Sequence, residues 1–391
     1  MNEKFWKLVE FLIENNDFYS EILRKVYVES GNYSEIPLLT RWDIYEFGLS
    51  GTKSLVSKNL KIGYIFSTGG TTGKPKYIAY TFDEFELVSF YLSKCYDSII
   101  DSDVVANLFM AGNMWASFIS VNKALEKLGC TILPISGTTS IELIKDYLEY
   151  FRPNCVVGLP TQIIQVVSEK TDFLNKVYYG GESFLENQID FLRNIGCKLI
   201  KSGGYASVDA DIIAYQCDML DLNQHHIFTE HQFVEIVDIE NEIVLDEKGK
   251  VGEVVVTNLD RYLCPIIRYK TGDLAMWIDP KCSCDKPTIQ LMGRFDDWIR
   301  LASYDFYYQD FAKALYPFQI SLKINRSKNL ITILIKNDEE CKKMSKVEII
   351  EKLKLVNWQL KEGIEENLLK VEVQYVQQLP MKNKKINVIY E

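Results

Sequence analysis

Apolar runs of strand length alternate with amphipathic helical segments over much of the chain, and this alternation limits the possible folds more than any other feature. The strand-like runs begin at residues 64, 104, 130, 155, 176 and 198, and helical patterns follow those at 104, 130, 155 and 176. Strands separated by helices usually pair in parallel, because each helix carries the chain back across the sheet. The sequence therefore predicts an α/β domain with a largely parallel sheet.

The pattern changes twice further along the chain, which indicates more than one domain. Helical patterns disappear between about residues 226 and 300, where hairpin-like segments replace them. Beyond that region, the pattern predicts two apolar strands within 318–336. An amphipathic helix is predicted at 346–366, and a further strand at 369–378. We predict a large domain over residues 1–296, with a β-rich subdomain over about 226–296, and a small mobile α+β lid over 297–391.

Composition argues against several classes of function. The net charge of −10 is unfavourable for binding the phosphate backbone of a nucleic acid. No run of 18 apolar residues occurs, so no membrane association is expected. The nine cysteines are odd in number and mostly scattered, which predicts a reduced, cytoplasmic protein.

The strongest chemical signal is the segment from Ser67 to Lys76, Ser-Thr-Gly-Gly-Thr-Thr-Gly-Lys-Pro-Lys, directly after an apolar run. Its glycines allow positive φ angles and a close approach of the backbone to a ligand. Its hydroxyl groups and amides can surround phosphate oxygens, and Lys74 and Lys76 add positive charge. It is neither a Walker loop nor a dinucleotide fingerprint. A surface loop rich in turn-forming residues is the alternative.

This segment resembles the phosphate loop of the ANL superfamily of adenylate-forming enzymes, [ST][SG]G[ST]TGxPK. Four further segments resemble phenylacetate–CoA ligases in the same order along the chain: the adenine-side segment at 177–184, the IRYRTGD segment at 266–274, the IMGRSDD hinge at 291–298 and the carboxy-terminal lysine segment at 379–386. Within that branch, the chain is most similar to compact adenylating enzymes of antibiotic pathways, such as those acting on phenazine acids. The resemblance implies an ANL-type fold and ATP as a substrate.

The resemblance also implies which residues bind ATP. They are Ser67, Thr68, Gly69, Gly70, Thr71, Thr72 and Lys76 in the loop, then Gly181, Glu182, Ser183, Gly204, Tyr205, Ala206, Ser207, Asp273 and Arg294. Tyr205 would stack on the adenine, and Asp273 would accept both ribose hydroxyls. A buried tyrosine and an ordinary turn aspartate are the alternatives. Arg294, with Asp296, would mark the hinge to the lid.

Lys385 and Thr72 are the predicted catalytic residues. A cation at Lys385 would stabilise the charge that develops on the α-phosphate, with Lys384 and Lys382 as alternatives. In the family a glutamate helps to bind Mg²⁺, and the resemblance places Ser207 at that position in this chain. Asp209 or Asp211 would supply the oxygen instead, and Asp209 is favoured.

The acid substrate is predicted to lie beside Asn113, Met114 and Trp115, with Gly204 opposite. Met114 and Trp115 fit a flat apolar or aromatic acid, although they are equally ordinary core residues, and an amino acid or a short fatty acid is the alternative substrate. The acyl group would pass to CoA, to a carrier-protein thiol or to an amine. The resemblance places the glycine of an Arg-Gly pair shortly after the hinge, in the loop that lines the CoA tunnel, and this chain has Ala302-Ser303 there, which weighs against free CoA. A complete acyl-CoA ligase and an inactive nucleotide-binding regulator remain the alternative functions.

A structural zinc site is a further prediction. Two cysteines one residue apart, together with a distant Cys/His group, can form a tetrahedral site. The set comprises Cys217, His225 or His226, Cys282 and Cys284, with His225 taken as the ligand. The alternative is a buried apolar cysteine beside a polar loop.

Overall fold

The computed structural model describes residues 3–27, 31–49, 54–68, 76–184, 186–221, 223–295, 298–301, 304–337, 344–380 and 387–390. The described residues divide into two compact units. The first contains those up to Thr68, 76–271 and Ala275–Met292, and the second contains Gly272–Leu274 and those from Gly293 onward. The predicted boundary, between residues 296 and 297, lies in a stretch outside the described part.

Three helices and a short hairpin open the first unit. The helices are α1 (Glu3–Asn15), α2 (Ser20–Lys25) and α3 (Arg41–Phe47), and the hairpin consists of β1 (Tyr64–Ser67) and β2 (Tyr77–Tyr80). Residues Phe5, Leu8 and Leu12 recur at helical spacing on α1 and are buried. This apolar stripe joins the core beneath the β-rich sheet described below.

A five-stranded parallel sheet and its helices follow, as the alternation predicted. The elements are α4 (Phe82–Cys95), β3 (Val104–Asn107), α5 (Ser117–Leu128), β4 (Thr131–Leu133), α6 (Ile141–Phe151), β5 (Cys155–Gly158), α7 (Pro160–Val166), β6 (Lys176–Tyr179), α8 (Glu186–Asn194) and β7 (Leu199–Ser202). The strand order is β4-β3-β5-β6-β7, and every pair is parallel.

Both faces of this sheet are covered, because successive residues of a strand point in opposite directions. Val157 of β5 and Tyr178 of β6 pack in a cluster with residues of α4 and α5. Their neighbours Val156 and Val177 pack in another cluster with residues of α6, α7 and α8. Helices on both faces explain why the strands are apolar throughout rather than alternating.

The β-rich part of the first unit is a seven-stranded sheet with the order β11-β12-β13-β14-β10-β9-β8. Its strands are β8 (Tyr205–Ser207), β9 (Asp211–Tyr215), β10 (Gln224–Ile227), β11 (Gln232–Val237), β12 (Gly252–Asn258), β13 (Tyr269–Ile278) and β14 (Thr288–Arg294). The pairs β8–β9, β9–β10, β10–β14 and β11–β12 are antiparallel. The hairpin-rich pattern beyond residue 226 is confirmed, and the sheet begins earlier, at Tyr205.

The second unit contains an α+β fold with its own apolar core. Its elements are β15 (Trp298–Leu301), β16 (Tyr304–Tyr307), α9 (Tyr308–Ala314), β17 (Ile320–Asn325), β18 (Leu330–Lys336), α10 (Lys346–Val356), α11 (Trp358–Glu365), β19 (Lys370–Val376) and β20 (Val388–Tyr390). Strands β19-β18-β17-β20 form one sheet, and β15-β16 form another.

The prediction of a single helix over 346–366 is wrong, because the segment forms two helices, α10 and α11. Asn357 lies between them in an extended conformation, with φ −130° and ψ 100°. Its side-chain oxygen accepts a hydrogen bond from Leu360 N over 2.9 Å and so caps the start of α11. An asparagine inside a helical pattern can thus mark a boundary rather than a surface position.

None of the helices in the described part combines the length and the apolar composition needed to cross a bilayer.

Candidate active site

The hairpin of β1 and β2 holds the two ends of the glycine–threonine segment side by side. Ser67, the last residue of β1, pairs with Tyr77 at the start of β2. Thr68 N donates to the carbonyl of Lys76 over 2.9 Å, and Lys76 N donates to Thr68 Oγ1 over 3.2 Å. The predicted phosphate-binding residues between them lie outside the described part: Gly69, Gly70, Thr71 and Thr72.

Lys76 belongs to a buried polar cluster of three side chains. Its Nζ forms an ion pair with Asp209 Oδ2 and donates to Tyr269 Oη over 2.7 Å. Tyr269 Oη in turn donates to Asp209 Oδ2 over 2.6 Å. The side chains of Lys76 and Asp209 are only 11% and 8% exposed, so this interaction takes place largely away from water. The structure therefore brings together the predicted phosphate lysine and the predicted magnesium ligand.

Asp209 has one carboxylate oxygen in use and one without a partner. Both hydrogen-bonding groups of the cluster contact Oδ2, whereas Oδ1 is buried and accepts no hydrogen bond from the described residues. A buried carboxylate oxygen without a donor carries a desolvation cost unless a ligand occupies it. A hard cation such as Mg²⁺ prefers oxygen ligands of this kind, so Asp209 fits the role predicted for it.

Ser207 closes the turn that carries Asp209. Its Oγ accepts a hydrogen bond from Ala210 N over 3.0 Å, between the end of β8 and the start of β9. A hydroxyl that bonds the backbone of its own turn stabilises that turn.

Two predicted site residues lie where the chain passes from β7 into β8: Gly204 in the connection and Tyr205 at the start of β8. Gly204 has φ +103°, and a Cβ built there would lie 2.6 Å from Ile212 Cδ1 and 2.8 Å from Cys95 Sγ, so only glycine fits. Tyr205 is 7% exposed and packs in the core, with its Oη 3.4 Å from Thr271 Oγ1. The stacking role of Tyr205 stays a prediction, and Ala206 beside it is exposed.

The predicted adenine-side segment follows β6 at the carboxyl edge of the parallel sheet. Gly181 has φ +72°, and Glu182 and Ser183 are exposed. Glu182 Oε2 accepts from Thr161 N over 3.3 Å, and Ser183 Oγ donates to Asn223 Oδ1 over 2.7 Å. Ligands of open α/β sheets bind at this edge, which suits the role predicted for the segment.

Asp273 and Arg294 form an ion pair in the second unit. Arg294 Nη1 lies 2.9 Å from Asp273 Oδ1, and the two side chains are 53% and 13% exposed. The glycine before Asp273 makes room for the guanidinium, since a Cβ on Gly272 would lie 3.1 Å from Arg294 Nη2. The predicted ribose ligand and the predicted hinge arginine are thus direct neighbours.

The segment predicted to contact the acid has an unusual backbone. Gly112, Asn113 and Met114 all have positive φ, at 88°, 49° and 58°. Ser67 N donates to the carbonyl of Met114 over 2.8 Å, which ties this segment to the start of the glycine–threonine loop. Trp115 is half-buried. Left-handed residues other than glycine are costly and concentrate at functional sites, which agrees with a binding role.

Three cysteines and one histidine meet at one end of strands β9, β10 and β14 of the seven-stranded sheet. One ligand atom from each of Cys217, His226, Cys282 and Cys284 lies within 4.8 Å of the others. His226 Nδ1 lies 2.8 Å from Thr288 Oγ1, whose proton goes to the carbonyl of Lys286. Nδ1 must therefore carry the imidazole proton, and Nε2 presents its lone pair to Cys282 Sγ, 3.2 Å away. Three thiols and one such nitrogen match the donor set of a structural zinc site.

The prediction that His225 joins the three cysteines is wrong, because the histidine beside them is His226. It is the neighbour of His226 on β10, and adjacent residues of a strand point to opposite faces. Its Nε2 lies 2.9 Å from Ser202 Oγ, on the side away from the cysteines. Burial lowers the pKa of His225 to about 4, so the ring is neutral at physiological pH.

Several predicted residues lie outside the described part of the chain. They are the catalytic lysine Lys385 with its alternatives Lys384 and Lys382, the catalytic Thr72, the hinge residue Asp296, and Ala302-Ser303.

Two residues that contact Asp209, Tyr269 and Arg261, have no role predicted from the sequence. Tyr269 lies in the 266–274 segment, so the resemblance pointed to its neighbourhood without giving it a role. Arg261 is fully buried, and its Nη1 donates to the carbonyl of Asp209 over 3.2 Å. Its surroundings in sequence, Leu-Asp-Arg-Tyr-Leu, contain no pattern that marks a buried arginine.

The chain is similar in sequence to phenylacetate–coenzyme A ligases, although it matches no family model. It is 24% identical to that of Thermus thermophilus over 333 residues, which cover 78% of this chain and 72% of the relative. It is 24% identical to that of Escherichia coli K12 over 297 residues, covering 70% and 65%. The matches span 55 to 72% of the lengths of these ligases.

Solved structures of two further proteins share the fold. The structure of 2-hydroxyisobutyryl-CoA ligase in the postadenylation state, with 2-HIB-AMP, matches with a TM-score of 0.76 and 14% identity over 99% of this chain and 88% of that one. ATP-bound MatB from Rhodopseudomonas palustris matches with a TM-score of 0.63 and 14% identity over 84% and 66%. These likenesses confirm the predicted α/β fold class.

Proposed function

Because the chain is a phenylacetate–CoA ligase-like member of the ANL superfamily of adenylate-forming enzymes, we propose that it activates a small carboxylic acid with Mg·ATP. The products would be an acyl-adenylate and pyrophosphate. The observation that carries this proposal is the cluster of Lys76, Asp209 and Tyr269 at the end of the glycine–threonine segment. It provides a cation for phosphate beside a carboxylate oxygen that is free to bind a metal ion.

The loop of residues 67–76 would surround the β- and γ-phosphates with its hydroxyl groups and amides. Asp209 Oδ1 would hold Mg²⁺, while Lys76 offsets the charge on the other carboxylate oxygen. Magnesium, when bound, would draw electron density from the phosphate oxygens and so help pyrophosphate to leave. Asp273 would accept the ribose hydroxyls, and Gly181, Glu182 and Ser183 would line one side of the adenine.

The reaction needs no nucleophilic side chain. A carboxylate oxygen of the acid attacks the α-phosphorus, a phosphorus–oxygen bond forms, and the bond to the β-phosphate oxygen breaks. Lys385 and Thr72 would stabilise the negative charge that builds up during this exchange. Positioning and electrostatic stabilisation therefore provide the rate acceleration.

We further propose an aromatic acid as the substrate and a thiol as the acceptor. The curated relatives are named phenylacetate–coenzyme A ligases, which favours both choices. A related ligase has been solved with 2-HIB-AMP and CoA in the thioester-forming state, which favours CoA as the thiol. Trp115, half-buried beside the left-handed segment, offers a flat apolar surface for an aryl group.

Acid-dependent exchange of radiolabelled pyrophosphate into ATP tests this proposal. Purified protein is assayed with Mg²⁺ and a panel of aryl, amino and short fatty acids. Exchange should require the acid, and aryl acids should give the highest rates. A control variant, Asp279→Asn, changes an exposed carboxylate that pairs with Lys248 and should exchange at the wild-type rate.

The same assay separates the alternatives. ATP binding without exchange for any acid contradicts adenylation and supports a nucleotide-binding regulator. Once an active acid is known, adding CoA should release AMP in step with thioester formation. Exchange without any AMP release on adding CoA would instead direct the search to a carrier-protein thiol or an amine.

We also propose that Cys217, His226, Cys282 and Cys284 bind a structural zinc ion. The support is the convergence of their ligand atoms within 4.8 Å and the tautomer that Thr288 imposes on His226. The ion would link the strand ends of β9, β10 and β14, since Cys217 follows β9 and Cys282 and Cys284 precede β14.

Metal analysis of protein purified without a polyhistidine tag should give about one equivalent of zinc per chain, as expected for one closed tetrahedral site. Cys282→Ser should lose the zinc and lower the melting temperature, because the ion stabilises only the folded state. Cys130→Ser, at a half-buried cysteine outside the cluster, should keep the zinc. Zinc-free wild-type protein that gains no stability from added Zn²⁺ contradicts the site.

A further inference from the structure

The imidazole of His231 lies between two carboxylates in the core of the first unit. His231 Nε2 is 2.8 Å from Asp211 Oδ1, and Nδ1 is 2.6 Å from Asp260 Oδ2. An ionised carboxylate can only accept hydrogen bonds, so both ring nitrogens must carry protons. His231 is therefore an imidazolium ion, although its side chain is only 1% exposed.

The surroundings of His231 account for a buried positive charge. Burial alone would lower the pKa of His231, but Asp211 and Asp260 outweigh it and raise the pKa to about 9. The ring of Tyr91 lies nearly parallel to the imidazole, with 4.3 Å between centroids. Lys4 Nζ forms a second ion pair with Asp260 Oδ2 at 2.6 Å. Two carboxylates, Asp211 and Asp260, are thus paired with two cations, His231 and Lys4.

Asp211 holds the backbone beside the proposed magnesium ligand in a costly conformation. Its backbone φ is +57°, a value that residues other than glycine rarely adopt. Asp211 follows Asp209 and Ala210 directly in the chain. Asp211 Oδ1 accepts from His231, and Oδ2 accepts from Asn258 Nδ2 over 2.7 Å. These two bonds fix the side chain of Asp211 and so oppose a return to an ordinary φ.

The two carbonyls before Asp211 are also held by side chains from distant elements. Arg261 Nη1 donates to the carbonyl of Asp209 over 3.2 Å. Gln232 Nε2 and Asn258 Nδ2 donate to the carbonyl of Ala210 over 2.9 and 3.1 Å. The backbone of the turn is therefore set by buried polar groups. The direction of Asp209 Oδ1, which has no partner of its own among the described residues, depends on that backbone.

We infer that His231 is a positioning residue for the divalent cation of Mg·ATP, acting through Asp211 on the turn that presents Asp209 Oδ1. The inference rests on the proposed function, because it requires Mg·ATP at Asp209. Removing the imidazolium would leave Asp211 and Asp260 as facing carboxylates without the cation between them. Repulsion between the two carboxylates would move Asp211 and the backbone of the turn. Asp209 Oδ1 would then no longer point towards the metal ion.

The test measures how strongly Mg²⁺ tightens ATP binding, by isothermal titration calorimetry of the full chain with and without the cation. Mg²⁺ should tighten binding to the wild-type chain by about tenfold or more, a typical coupling between bound ligands. In His231→Gln, which has no positive charge, the factor should fall to about twofold. ATP affinity without Mg²⁺ should change little, because the contacts of the His231 side chain among the described residues are with Asp211, Asp260 and Tyr91, none of which is a predicted ATP ligand.

Leu192→Ala controls for a general loss of stability. Leu192 is buried on α8 in a different apolar cluster, and its truncation should lower the melting temperature without changing the effect of Mg²⁺. If His231→Gln does not fold, Asp260→Asn provides the same comparison, because its amide oxygen still accepts from Nδ1. Its Mg²⁺ effect should fall between those of wild type and His231→Gln.

Each outcome decides a separate question. A variant at His231 or Asp260 that keeps the wild-type Mg²⁺ effect overturns the inference, whatever its melting temperature. Wild-type protein that binds Mg·ATP but shows no pyrophosphate exchange overturns adenylation alone, and the comparison of Mg²⁺ effects still decides the role of His231. Wild-type protein that binds no ATP overturns both.

Discussion

Replacement of Lys385 by alanine is expected to lower the rate of acid-dependent pyrophosphate exchange by about 10²–10³-fold. During attack on the α-phosphorus, negative charge builds up on the phosphate oxygens, and a fixed cation stabilises that charge more than it stabilises bound ATP. Losing one such charge-stabilising group typically raises the barrier by about 2.7–4 kcal/mol. Because the effect is confined to the transition state, the affinity for ATP should change little.

The neighbouring lysines provide matched controls for this prediction. Lys382→Ala and Lys384→Ala remove the same charge from the same segment, so they test whether position or mere positive charge matters. Both should keep most of the exchange rate. A large loss in Lys384→Ala with near wild-type exchange in Lys385→Ala would assign the role to Lys384. Equal, small losses in all three would contradict a catalytic lysine in this segment.

The order of strands and helices could be predicted because periodicity is a local property. The apolar runs that begin at 104, 130, 155, 176 and 198 correspond to β3 to β7, in one parallel sheet. The break at Asn357 was missed because apolar spacing continues through it. Whether an asparagine caps a new helix or sits on a helix surface depends on packing that the local pattern does not contain.

The choice between His225 and His226 could not be made from the sequence, for a different reason. The cysteine spacing indicated a metal site, and three of its four residues are those that converge in the structure. Which of two adjacent histidines joins them depends on the face of the strand each occupies. That face is set by the pairing of β10 with β9 and β14, a register that the sequence alone does not specify.

The resemblance assigned Lys76 and Asp209 to the same ATP site, but their direct ion pair and the contacts of Tyr269 and Arg261 could not be predicted, because these partners are far apart in the chain. Lys76 is separated by 133 positions from Asp209 and by 193 from Tyr269. The buried charges of Arg261 and His231 would each be unfavourable alone, and they are tolerated because carbonyls and carboxylates converge on them. A single sequence contains the residues of such a network but does not specify which of them are in contact in the folded chain.

Asp273→Ala should weaken ATP binding by about 100-fold while leaving the melting temperature nearly unchanged. Two hydrogen bonds from ribose hydroxyls to a carboxylate would be lost, each worth about 1.5 kcal/mol or more, and about 1.4 kcal/mol corresponds to a factor of ten in affinity. Stability should change little, because Arg294, which forms an ion pair with Asp273, is 53% exposed and water can solvate it. Calorimetric titration with ATP measures the first effect and thermal melting the second.

The choice of nucleotide makes the test specific to the ribose. Asp273→Ala should reduce the affinity for ATP far more than that for 2′,3′-dideoxy-ATP, which has no hydroxyls to donate to the carboxylate, so the two nucleotides should bind the variant about equally. Arg294→Met separates the arginine from the aspartate: it removes the ion pair but leaves the carboxylate, so ATP should still bind better than the dideoxy analogue. Wild-type protein that binds both nucleotides equally would mean that the ribose hydroxyls do not bind Asp273.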